Sequence, residues 1–117
     1  MKDFEGKIQY KGEEYGLVFN LNVMETIQEE YGTVERWGEM TEGSSDRGEP
    51  DAKAIIFGFR EMLNEAIDIE NEEHGTDKKF LSLRQVGRIV TEMGLHDATM
   101  ALNNTVIEST KSEEKNA

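Results

Sequence analysis

The side chains with chemical potential here are mostly carboxylates: 25 Asp and Glu stand against 13 Lys and Arg, with adjacent pairs at Glu29-Glu30, Glu72-Glu73 and Glu113-Glu114. In so acidic a chain such pairs arise without catalytic demand, and solvated faces account for them. A metal site needs convergent ligands. His74 with Glu70 one turn earlier, and His96 beside Asp97, supply two candidates each and no third. A serine nucleophile needs a base and an orienting acid, and Ser44 and Ser45 have neither in a recognisable motif. The glycines match neither a dinucleotide fingerprint nor a phosphate loop. The absence of cysteine removes disulfides, thiolate ligands and thiol nucleophiles. The expectation is a non-enzymatic protein with no cofactor and no metal.

The net charge of -12 argues against a nucleic-acid surface or an anionic membrane surface and favours partners with basic faces. No apolar stretch follows Met1-Lys2-Asp3-Phe4-Glu5, so no signal peptide is expected, and the longest apolar run, Ala54 to Phe57, is too short to span a bilayer. These features predict a soluble cytoplasmic protein. With 117 residues and 36% hydrophobic content, residues 1–110 are expected to fold as one domain with a modest core, and 111–117 to form a disordered polar tail.

The predicted fold is mainly α with a small N-terminal β-hairpin: four to five helices around one long central helix. Residues 7–19 alternate as a hairpin, with Ile8 and Tyr10 on one strand, a turn at Gly12-Glu13, and Tyr15, Leu17 and Phe19 on the return. Such a hairpin is marginal alone and must lie on the helices or join another sheet. Asn20 caps a helix over 21–31 that Gly32 ends. Thr33 opens a short helix with Val34, Trp37 and Met40 at three-residue spacing, in which Trp37 is expected to be a structural anchor.

Thr41 to Glu49 reads as a mobile loop. The central helix then runs from Asp51 to His74, entered at Pro50 and stopped by Gly75. Ile55, Ile56, Phe59, Met62, Leu63, Ala66, Ile67 and Ile69 share a face too wide for one neighbour. Ser82 and Gln85 make a capping box for a helix striped by Leu83, Val86, Ile89, Val90 and Met93, and Gly94 closes it. Asp97 is expected to cap the last helix.

Three apolar residues fall outside these core stripes. Phe57 projects opposite the central helix's main face, among Glu61, Asn64 and Asp68; Met100 and Ile107 share the outer side of the last helix. Charge is also segregated. Glu61, Glu65, Asp68, Glu70, Glu72, Glu73 and Asp77 follow one another without a base, and then Lys78, Lys79, Arg84 and Arg88 follow without an acid. Arg84 and Arg88, one turn apart, are expected to pair with the acidic helix of the same molecule, or with that of a neighbouring copy in a salt-sensitive contact.

The order of these signals resembles the tail assembly chaperones of long-tailed phages and prophages of Gram-positive bacteria. A charged hairpin leads into Phe19-Asn20-Leu21-Asn22-Val23-Met24-Glu25-Thr26-Ile27-Gln28-Glu29-Glu30-Tyr31-Gly32-Thr33; Trp37, an acidic loop, a long helix and Gly94-Leu95 before a final helix follow, so that the likeness spans residues 5–110. The resemblance implies a non-catalytic protein of the host cytoplasm that binds the tape measure protein, recruits tail tube subunits and is absent from the finished virion. A longer frameshifted form with its junction near Lys111 to Ala117 is also implied. Phe57, Met100, Ile107, Arg84 and Arg88 are the candidate partner-binding residues, with self-association as a further expectation. The alternative is an acidic DNA mimic that inhibits a nucleic-acid-binding enzyme, presenting Glu61, Glu65, Asp68, Glu70, Glu72 and Glu73 as a phosphate-like array.

Overall fold

The computed structural model describes residues 4–43 and 48–115, with side chains described for 7–43 and 48–110. Strands β1 (Phe4–Tyr10) and β2 (Glu13–Phe19) pair antiparallel from Phe4↔Phe19 to Tyr10↔Glu13. The turn is Lys11-Gly12, one residue earlier than the sequence predicted. Both residues have positive φ, 49° and 78°, the mirror-image turn whose twist matches that of paired strands. Leu17 and Phe19 are buried, and so is Val18 between them, so both faces of the hairpin's inner end are covered. Helices α3 (Ala52–His74) and α5 (Leu95–Lys115) both lie against the strands, which answers the need of an isolated hairpin for support.

Capping chemistry sets the helix ends. Asn20 accepts from the Val23 amide at the start of α1 (Leu21–Tyr31), and Thr33 accepts from Arg36 at the start of α2 (Val34–Glu42). Asp51 accepts from Ala54 to open α3, and Gly75 ends it in the left-handed conformation. The Ser82–Gln85 capping box is complete at α4 (Leu83–Met93).

Two boundaries differ from expectation. Helix α2 continues through Thr41 and Glu42, because Thr41 is buried and its hydroxyl is satisfied by the Gly38 carbonyl; Ser44 to Arg47 of the predicted loop lie outside the described residues. Helix α5 starts at Leu95 rather than after Asp97, since the Ala98 amide already bonds the Gly94 carbonyl, and Asp97 becomes a first-turn acid. Its backbone stays helical to Lys115, through most of the stretch expected to be a disordered tail; Asn116 and Ala117 lie outside the described residues.

Helix α3 is the central post, in contact with β2, α1, α2, α4 and α5. Its inner face buries Ala54, Ile55, Gly58, Phe59, Met62, Leu63, Ala66 and Ile67. Trp37 is buried against it and donates from Nε1 to the Ala54 carbonyl at 3.0 Å, the structural role expected of it. At Gly58 a Cβ would stand 2.3 Å from the Trp37 ring, so only glycine lets this indole lie on the helix. Ser109 of α5 donates to the Phe19 carbonyl at 3.0 Å and ties the last helix to the hairpin.

Candidate partner-binding groove

Two asparagines of α3 determine where α4 lies. The Asn64 side chain exchanges both hydrogen bonds with the Leu81 peptide, donating to its carbonyl at 3.0 Å and accepting from its amide at 2.8 Å. Asn71, two turns further on the same side, does the same with Lys78, both at 3.0 Å. An amide side chain with one donor and one acceptor matches a peptide group, so the two straps hold the connector between α3 and α4 along the helix surface. Sequence reasoning read this segment only as a polar turn. The chain then doubles back: Leu81 sits beside Asn64, and Gly87 lies over Ile56, whose Cδ1 would be 3.6 Å from a Cβ at that glycine.

This antiparallel return places Lys53, Ile56 and Phe57 of α3 opposite Leu83, Arg84, Gly87, Arg88 and Thr91 of α4, lining an open groove of about 650 Å³. The sequence candidates Phe57, Arg84 and Arg88 are therefore brought together. Its floor is apolar, and its charged residues are Lys53, Arg84 and Arg88, with no carboxylate among the lining. The exposed arginines form no ion pair with the acidic helix, contrary to the intramolecular pairing expected for them. Among the described residues none of the three cations has an ion-pair or side-chain hydrogen-bond partner. The physical reason is register, since the antiparallel return sets them against Lys53, Ile56 and Phe57 in the first half of α3, before the acidic run begins at Glu61.

Phe57 also differs from its sequence reading. It is half-buried and has neighbours in its own chain: Tyr31 meets it edge-on at 5.4 Å and 75°, and the Arg60 guanidinium lies over its ring at 5.6 Å. A helical wheel gives the direction of a side chain but not what stands there, and here the end of α1 does. One side of the ring packs internally and the other lines the groove. Burial, reinforced by the charges of Asp51 and Glu30, pushes the Tyr31 phenol above its usual pKa.

Met100 and Ile107 are exposed on α5, at 49% and 52%, and do not line this groove. Lys53, Gly87 and Thr91 complete it and were not singled out in the sequence; Ile56 and Leu83 were read as core-stripe residues, but Ile56 is only half-buried and Leu83, in the first turn of α4, is 46% exposed on the groove wall. The one available signal was the four-residue spacing of 83, 87 and 91 on the side of α4 shared with Arg84 and Arg88.

The acidic array is partly used inside the molecule. Glu61 pairs with Arg60 at 2.8 Å, and Glu65 accepts from Asn20 and Asn22. Glu70 pairs with Lys78 at 2.9 Å, and this hydrogen bond holds the Glu70 carboxyl below its usual range and raises the Lys78 ammonium. Among the described residues no group of three or more His, Asp or Glu converges to hold a metal, and no helix is long and apolar enough to cross a membrane. Comparison of the chain with protein-family models, curated proteins and solved structures gives no match.

Proposed function

We propose that this chain is a phage tail assembly chaperone: a non-catalytic protein that binds the tape measure protein and tail tube subunits in the host cytoplasm and leaves before the virion is complete. The observation that carries the reading is the α3–α4 groove, an open apolar floor rimmed by three cations that have no ion-pair partner among the described residues, on a chain of net charge -12. Reversible holding of a client calls for such a surface, apolar enough to cover a hydrophobic stripe and charged enough to remain soluble when empty. The exposed Met100 and Ile107 offer a second, smaller apolar contact on α5, where an unbranched methionine adapts to varied partners. Self-association of copies along a client fits the same segregation of charge.

The test is co-expression with a tape measure segment from the same genome, reading the soluble fraction of that segment. Phe57→Asp is a poor probe because Phe57 also packs on Tyr31. Gly87→Leu fills the groove from α4, where nothing but the Ile56 methyl stands near. Wild type is expected to keep the segment soluble and Gly87→Leu to lose most of that effect while remaining folded. A segment that stays insoluble with wild type overturns the reading.

A further inference from the structure

Among the surfaces of this molecule the α3–α4 groove is set apart by the sign of its charge. The cleft between the hairpin and the end of α3 is lined by Glu13, Glu14, Glu70 and Glu73 together with Lys7 and Lys78, so it is acidic on balance and both its lysines are paired within it. The hollow below Phe80, a residue 57% exposed, is lined by Glu61, Glu65 and Asp68, with Arg60 already paired. The α3–α4 groove holds only cations, although the chain carries about two acids for every base. Three like charges brought together with no carboxylate between them repel one another, and a partner's anions relieve that repulsion.

The shape of the groove identifies the partner's backbone. Two antiparallel helices present parallel ridges, and the furrow between them accepts a third helix. Leu83, Gly87 and Thr91 sit one turn apart along one wall, a span of about 12 Å at the helical rise, and Ile56 and Phe57 stand opposite. Gly87 lets an incoming backbone approach closely in mid-groove. A glycine inside a helix costs about 1 kcal/mol relative to alanine. An open helical glycine alone is no site, and Gly38 of α2 has similar freedom, but Gly87 lies on an apolar floor between cations.

We infer that the α3–α4 groove docks an acidic amphipathic helix: an apolar stripe against Ile56, Phe57 and Gly87, flanked by carboxylates that meet Lys53, Arg84 and Arg88. The inference rests on the client-binding reading of this groove and adds the chemistry of the segment that is held. It concerns this groove and not the exposed Met100 and Ile107 of α5.

The experiment uses the full chain and a fluorescein-labelled synthetic helix of about 20 residues, long enough to be helical, with leucines along one face and glutamates beside them. Two control peptides replace glutamate with lysine or scatter the same residues out of register, and binding is followed by anisotropy at low and high salt. The acidic amphipath is expected to bind about tenfold or more tightly than either control, and to weaken as salt rises. Arg84→Glu with Arg88→Glu, and separately Gly87→Leu, are each expected to cost about tenfold or more with unchanged circular dichroism. Equal affinity for the acidic and basic peptides, or indifference to these substitutions, overturns the inference. So does self-association that depends on Arg84 and Arg88 without peptide binding, which makes a second copy the occupant. The tape measure solubility assay runs alongside. Rescue of the segment without acidic-peptide binding refutes the inference and leaves the chaperone reading standing; peptide binding without rescue supports the inference and refutes the reading.

Discussion

Helix α3 has two sides, and a glycine facing each, one its own and one from α4, shows how they differ. Gly58 faces inward, where an added methyl group would collide with the Trp37 ring; Gly87 of α4 faces the outer groove, where an added methyl group would meet only the Ile56 side chain at an ordinary contact distance. Both glycines lower helix propensity. At Gly58 the compensation lies within the molecule, in the buried indole and its hydrogen bond to Ala54. At Gly87 no ring or backbone occupies the space a side chain would take; only the Ile56 side chain stands within contact distance. The inner side is a completed core and the outer side an open groove.

Substitution should break this comparison most visibly at the inner glycine. Gly58→Ala is expected to destabilise the fold by about 1–3 kcal/mol, the usual range for overpacking, measured by chemical denaturation. In a Trp37→Ala background, itself costing about 3–5 kcal/mol, the same change should become neutral or slightly stabilising, because the clash has gone and the helix propensity gain remains. Additive costs in that cycle contradict the packing account.

A smaller effect is expected from the straps that hold α4 in place. Asn64→Ala removes two hydrogen bonds to the Leu81 peptide and should cost about 1–2 kcal/mol, with faster amide exchange at Leu81. Asn64→Asp keeps the acceptor and loses the donor, so it should recover part of that loss. Gly87→Ala has the opposite sign: a gain of about 0.5–1 kcal/mol, seen as a melting temperature higher by roughly 4 °C. A loss of stability there would mean the groove is more tightly packed than the geometry indicates.

The smallest effect belongs to Tyr31, on the internal side of Phe57. Its phenol titrates above the ordinary value of 10.0, chiefly because burial disfavours the phenolate. The stability it contributes is therefore fully present below the unfolded pKa and is lost as pH rises through the higher folded value. Tyr31→Phe should flatten that alkaline limb of a stability-against-pH curve. An unchanged limb means that other groups set it.

Local signals in the sequence carried most of the fold. Asn20, Thr33, Ser82 with Gln85, Gly32, Gly75 and Gly94 each act within one turn of their own position, and the wide apolar face of the central helix required the several neighbours it has. What was not legible depends on pairing across the chain. Nothing near Asn64 or Asn71 in sequence announces that their amides strap peptides seventeen and seven residues away. Phe57, Arg84 and Arg88 were each visible as unplaced residues, but only the strapped antiparallel return unites them in one groove. The expected pairing of the arginines with the acidic helix failed for a related reason. Lys78 sits close enough to reach Glu70, whereas Arg84 and Arg88 are set against Lys53, Ile56 and Phe57 in the first half of α3.

The most direct measurement of the outer groove's role is an amide chemical-shift map of the isotope-labelled chain as a soluble tape measure segment is added. Shifts concentrated at Lys53, Ile56, Phe57, Arg84, Gly87, Arg88 and Thr91 are the predicted result. Shifts confined to the Met100 and Ile107 face of α5, or no shifts at all, would contradict the assignment of the α3–α4 groove as the client-binding surface.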